Sequence, residues 1–206
     1  MMSLSQKKIH ILQVAERLFS ENGFDGTSIR AISKEAGINI AMISYYFGSK
    51  EKLLEELILY RASDIRVHIE NILRANLSPI EKLEKYIEFY IQQVSRNFPV
   101  YRIAMTESQP GRRNFQSDEF AKVKKVNLEN LKRIVIEGQE SGQFRPDIEP
   151  TLIPATIAGT VINFYINREF FSGLLNLSTR EAFDNYVKQN LTNYLKTIIK
   201  ASLLNE

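Results

Sequence analysis

Three observations predict an all-α fold. Apolar residues recur at three- and four-residue steps along most of the chain, Ser, Thr, Asn or Pro opens the periodic stretches and Gly closes several of them, and no segment alternates as a strand. Ile9, Leu12, Ala15, Leu18 and Phe19 form the stripe of a first helix that follows a candidate cap at Ser5 and ends near Gly23. Thr27 or Ser28 caps a short second helix, IRAISKEAG, with Gly37 as its C-terminal cap. Asn39 caps a third that stops at Gly48, and Ser49 caps a long fourth. Pro79 opens a fifth helix running to about residue 97, and NFPVYRIAMTESQPGRRNF reads as a short sixth helix followed by a loop. Helices over 118–141, 151–170 and 179–204 bring the total to about nine. The division expected is a three-helix domain over 1–48 carrying a helix-turn-helix, and a larger helical domain over 49–206.

Composition narrows the function classes. The chain has 206 residues, 44% hydrophobic and 25% charged, enough to bury a sizeable core. Its net charge of +3 permits an anionic partner without demanding one. With no cysteine, disulfides, thiolate zinc sites and thiol nucleophiles are excluded together. The N-terminal stretch lacks the apolar core of a signal peptide, and the longest uncharged run, 150–167, is interrupted by prolines, asparagines and threonines. A cytoplasmic protein without a membrane partner is expected. His10 and His68 have no second ligand at metal spacing, and there is no glycine-rich phosphate loop or nucleophile elbow. No catalytic residue, cofactor or metal is therefore expected.

The stretch GINIAMISYYFGSKEKL is the most informative. In a helix over 40–47, Ile43 and Phe47 share a face with Ile38 and dock it inward. Asn39, Ile40, Ala41, Met42, Ser44 and Tyr45 then form an outward surface without a carboxylate, flanked by Tyr46 and Lys50, whose hydroxyl and ammonium are donors suited to phosphate. Taken alone, the same residues also fit ordinary core filling in a helical bundle.

Residues 9–53 resemble the N-terminal DNA-binding domain of the tetracycline-repressor (TetR) family of bacterial transcriptional regulators. The resemblance is carried by A-x-x-L-F-x-x-x-G-F-x-x-T-S-I, by I-x-x-x-A-G-I and by the exit YYFGSKEKL, and it covers about the first quarter of the chain. It implies that Thr27 and Ser28 contact phosphate, that Asn39, Ile40, Ala41, Met42, Ser44 and Tyr45 face the major groove of a double-stranded operator, and that Tyr46 and Lys50 hold the backbone. The chain departs from the family pattern at Ser44, where a phosphate-binding Tyr is usual, and at Ile40, where a polar or basic residue is frequent. An apolar contact, such as one to a thymine methyl, is expected at Ile40.

Two further sites are expected in 49–206. The segment TLIPATIAGTVINFYIN carries no charge, its small residues permit close helix approach, and the last helix has a broad apolar arc. Ala155, Gly159, Ile162, Tyr186, Tyr194 and Ile198 are the expected homodimer interface; the competing reading is a helix buried centrally in a monomer. Tyr86, Phe89, Tyr90, Tyr101, Met105, Phe120, Phe164 and Tyr165 are either plain core or the lining of a pocket for a largely apolar small molecule, and the family resemblance favours the pocket. The expected function is that of a homodimeric repressor released from a palindromic operator by a small molecule. The alternative is an all-helical binding protein whose helix-turn-helix does not touch DNA.

Overall fold

A computed structural model describes residues 4–107 and 118–204, which hold only helices and their connections. In order these are α1 (Leu4–Asn22), α2 (Ile29–Glu35), α3 (Ile40–Phe47), α4 (Lys50–Arg74), α5 (Pro79–Glu107), α6 (Asp118–Glu140), α7 (Leu152–Ile166), α8 (Arg168–Leu174), α9 (Arg180–Tyr186) and α10 (Thr192–Leu203). A π-helical turn, Val187–Leu191, joins α9 to α10 without a break, so the last three pieces form one helix. None of the described helices is long and apolar enough to cross a membrane.

Among the described residues the total agrees with the expected nine through two differences that cancel. The fifth and sixth predicted helices are one: α5 continues through Pro99. Proline removes one helical hydrogen bond, to the carbonyl of Ser95, but its fixed φ is helical, and the flanking turns hold the helix together. The predicted eighth helix is two, divided at Asn167 (φ −98°, ψ 31°), whose side-chain amide donates back to the Asn163 carbonyl at 3.1 Å.

The chain packs as two compact units, residues 1–64 with 99–123 and residues 65–98 with 124–206. The first unit is built on Ile11, Leu12, Ala15 and Phe19 of α1, Ile32 of α2, Ile43 and Phe47 of α3, Leu53, Leu54 and Leu57 of α4, and Val100 and Ile103 of α5. Phe24, in the turn after α1, lays its ring 5.3 Å from that of Phe19. This shared core gives the seven- and eight-residue helices α2 and α3 the support their length cannot supply.

The second unit is built on α5, α6, α7 and the last helix, with Leu83, Ile87, Leu131, Ile134, Val161, Phe183 and Leu195 among its buried residues. Ion pairs link its helices: buried Lys82 on α5 holds the Glu137 carboxylate of α6 at 2.8 and 2.9 Å, Lys196 on α10 reaches Glu88 of α5 at 2.5 Å, and Lys200 one turn further on pairs with Glu84 of α5. The loop after α6 folds back so tightly that the Phe144 ring occupies the space a Cβ on Gly138 would need, 2.0 Å away. Gln139 pins that loop through donors to the carbonyls of Arg145 and Ile148, and the Arg145 amide donates to the Leu203 carbonyl at the chain's far end.

Candidate nucleic-acid interface and ligand cleft

The turn between α2 and α3 is fixed at both edges by local hydrogen bonds. Ser28 caps α2 by accepting from the Ala31 amide at 3.1 Å, and Asn39 caps α3 by accepting from the Ala41 amide at 2.9 Å. After the cap residue Ala36, Gly37 takes φ +63°, its amide donates to Lys34, and the Ile38 amide donates to Ser33. This paired bonding satisfies carbonyls that the helix end would leave open. Ile43 and Phe47 anchor α3 inward, as their four-residue spacing predicts.

With that face buried, Asn39, Ile40, Ala41, Ser44 and Tyr45 are exposed, Tyr45 at 80%, and Met42 is half-buried. Capping uses the acceptor lone pairs of Ser28 and Asn39 and leaves their hydroxyl and amide protons as donors. The exposed part of the motif carries one acid on its helices, Glu35, and Arg17 engages it. Arg30, Lys34 and Lys52 are exposed with no ion-pair partner among the described residues. These three cations were missed from sequence, where an exposed Lys or Arg on a helix looks like any solvated charge.

Three expected phosphate contacts lie inward. Thr27 is 2% exposed, and its hydroxyl is shared between the carbonyls of Gly23 at 2.8 Å and Leu18 at 3.0 Å. Lys50 spends two of its three protons on the carbonyls of Phe24 and Thr27, both at 3.0 Å, with its ammonium 4.4 Å from the Phe24 ring centre. The Tyr46 hydroxyl is buried, and its ring packs against the core. Thr27 and Lys50 therefore brace the connection between α1 and α2, with Lys50 tying it to the start of α4, just after α3.

The aromatic set expected to line one pocket is dispersed. Tyr101 and Met105 belong to the first unit, where burial pushes the Tyr101 phenol up to about 12, partly offset by Arg61. The Phe120 side chain lies outside the described residues. Within the second unit, Phe164 stacks on Phe171, Phe183 and Tyr186, Tyr165 packs against Phe98 and Phe183, and Tyr86 stacks on Tyr90. Phe89 alone of the set lines a cavity found there, a cleft of about 710 Å³ bordered by α4, α5 and the last helix. Its polar lining differs from the apolar one expected.

The expected dimer residues lie on α7 and the last helix. One side of α7 buries Ile153, Ile157, Val161 and Phe164, while Leu152, Ala155, Gly159 and Ile166 are exposed and Ile162 is half-buried. Phe170 (66%) and Leu174 (65%) of α8 and Tyr194 (58%) of α10 are exposed too, with Tyr186 and Ile198 half-buried. The reading of α7 as a helix buried within one chain is thereby corrected: a full side of it is open.

Comparison with known proteins agrees with this geometry. Residues 11–57 match the bacterial regulatory proteins of the tetR family, and residues 79–192 match the tetracyclin repressor-like C-terminal domain. The chain is 32% identical over 168 residues to the HTH-type transcriptional repressor NicS of Pseudomonas putida, covering 81% of this chain and 79% of that protein. It is 27% identical over 159 residues to the repressor KstR2 of Mycolicibacterium smegmatis, 76% of each. The fold superimposes on the transcriptional regulator FadR from Bacillus subtilis, solved in complex with stearoyl-CoA, with a TM-score of 0.73 at 18% identity over 94% of this chain and 98% of that one. With one match at the helix-turn-helix, a second over more than half the chain and a repressor relative along four-fifths of it, the chain belongs to the tetR family of bacterial regulatory proteins and is a DNA-binding transcriptional regulator.

Proposed function

We propose that the chain acts in the cytoplasm, without catalysing a reaction, as a homodimeric repressor that binds a palindromic operator and leaves it when a small molecule enters the helical domain. Residues 1–48 serve as the reader and 49–206 as the effector-binding and dimerisation part. The observation that carries the reading is the exposed side of α3, where Asn39, Ile40, Ala41, Ser44 and Tyr45 stand together at and beyond the capped start of the helix. A polyanion disfavours acids and favours donors, and this surface offers amide and hydroxyl donors, a phenol and apolar groups for base edges. Arg30, Lys34, Lys52 and the remaining Ser28 proton supply the backbone contacts, with Thr27, Tyr46 and Lys50 positioning the reader.

Dimerisation through Ala155, Gly159, Ile162, Tyr186, Tyr194 and Ile198 is supported by the open apolar side of α7. Monomeric proteins rarely leave extended apolar surface uncovered, and a reader with one recognition helix per chain gains affinity from paired half-sites. The test is binding of the full chain to its own palindromic promoter fragment against a scrambled fragment across a salt series. Specific affinity that falls steeply with salt is expected. Equal affinity for both fragments would leave the helix-turn-helix a structural element only.

A further inference from the structure

The cleft in the second unit departs from the apolar pocket expected of the sequence. Buried Ile72, Phe89, Ile91 and Val187 form its apolar part, and its remaining lining is mostly charged or amide-bearing. Four cations, Lys85, Arg96, Lys188 and Lys196, share the lining with two carboxylates, Glu88 and Asp184. Both carboxylates are engaged: Glu88 accepts from Lys196 at 2.5 Å, and Asp184 faces Arg180 at 3.7 Å. Lys85 acts on Glu81 one turn before it. Arg96 and Lys188 are exposed and have no ion-pair partner among the described residues. Beside them the imidazole of His68 lies flat on the Phe89 ring, centroids 3.7 Å apart and planes 11° from parallel. Desolvation lowers the pKa of His68, so near neutral pH it presents an uncharged flat ring.

One wall of the cleft is the π-helical turn. Val187, Lys188 and Gln189 of the turn and Thr192 just after it are all lining residues, and the Thr192 hydroxyl donates to the Val187 carbonyl at 3.1 Å. Such turns are rare inside helices and concentrate at functional sites. Here the turn brings an unpaired ammonium and an amide to the same wall.

We propose that this cleft binds a small organic oxyanion, a phosphate or carboxylate held by Arg96 and Lys188 with a flat apolar body against Phe89 and His68. The volume suits such a molecule, since small-ligand sites span about 300 to 1,000 Å³. The guanidinium supplies a planar pair of donors and the lysine a point charge, the combination that suits a headgroup of two or three oxygens. The proposal rests on the reading of residues 49–206 as the effector-binding part and assigns that part a site and a ligand chemistry.

Isothermal titration of the full-length protein with phenyl phosphate, benzoate, benzyl alcohol and benzylamine tests it. At least one of the two oxyanions is expected to bind saturably while the alcohol and the amine do not, and the tighter of the two identifies the headgroup. Arg96→Gln and Lys188→Gln should each weaken that binding about fivefold or more. Glu88→Gln, which removes a lining carboxylate and releases Lys196, should strengthen it. The proposal is overturned by the absence of saturable binding to either oxyanion, by equal binding of benzylamine, or by unchanged affinity in the Arg96→Gln, Lys188→Gln double variant. Operator binding measured on the same samples separates the two readings: a cleft that fails these tests in a protein that still binds its operator removes this site and leaves the regulator standing.

Discussion

Helices α3 and α7 are both without a charged residue, and both leave a side open to solvent, yet their surroundings differ. Helix α3 is eight residues long, capped by Asn39 and closed by Gly48, with cations on neighbouring helices and one engaged acid. Helix α7 has no side-chain cap, and large apolar or aromatic side chains stand exposed with it on α8 and α10, Phe170, Leu174 and Tyr194, beside the exposed Glu169, Asn193 and Thr197. An uncharged helix surface therefore says only that water is not its intended neighbour. The groups around it decide whether that neighbour is a polyanion or another apolar surface.

The strongest test of this contrast is Gly159→Arg. A Cβ built at Gly159 meets nothing within 4 Å, so the substitution should leave the isolated chain folded. In a dimer packed on α7 it would bury an unpaired cation, a penalty of several kcal/mol, and sedimentation should show a folded monomer. A variant that remains dimeric would move the interface off α7. Tyr45→Ala should cost about 1 to 3 kcal/mol of operator affinity and alter base preference while leaving the dimer intact. An unchanged selection of bound DNA from a random pool would remove Tyr45 from the reading surface.

Lys50→Gln separates bracing from backbone contact. If Lys50 braces the connection between α1 and α2, operator affinity falls while the salt slope is preserved, and thermal stability drops with it. If it contacts phosphate, the slope of log affinity against log salt flattens by about one unit. Gly37→Ala is the mildest change. Space is open around that Cβ, so the cost is that of a left-handed alanine, about 1 kcal/mol, read as a small fall in melting temperature.

Much of the reader was legible in the sequence, because caps and anchors are local events. Asn39, Ser49, Gly48, Ile43 and Phe47 act within four residues of where they stand, and the spacing rules for helices cover that range. The inward turn of Thr27 and Lys50 was not legible. A hydroxyl and an ammonium donate equally well to phosphate oxygens or to peptide carbonyls; for Lys50 the choice is made by a contact 26 residues away in the chain, to Phe24, and for Thr27 by the turn of the backbone that brings the Gly23 and Leu18 carbonyls to it. The cleft was illegible for a similar reason: its cations come from α5 and the last helix, about 90 positions apart, and no periodicity reports such a meeting. The aromatic residues, by contrast, stood out in the sequence and were largely absorbed by stacking in the core.

The π-helical turn also settles the phase of the final helix. Its buried residues Phe183, Val187, Leu191, Leu195, Ile199 and Leu203 recur at a strict interval of four. An α-helix advances roughly 100° per residue, so each such step overshoots a full turn by about 40°, and the stripe would wind away from the core. A straight reading instead groups Asn190, Tyr194 and Ile198 with Phe183 and Val187. By accommodating one extra residue, the π turn returns about 100° of that overshoot and hands the inward positions to Leu191, Leu195 and Ile199. Tyr194 is thereby left outside. Deleting one residue from the turn would let it close as ordinary α-helix with Leu195, Ile199 and Leu203 still facing inward, whereas straightening it at full length would rotate everything beyond it by about 100° and carry the Leu203 carbonyl away from the Arg145 amide.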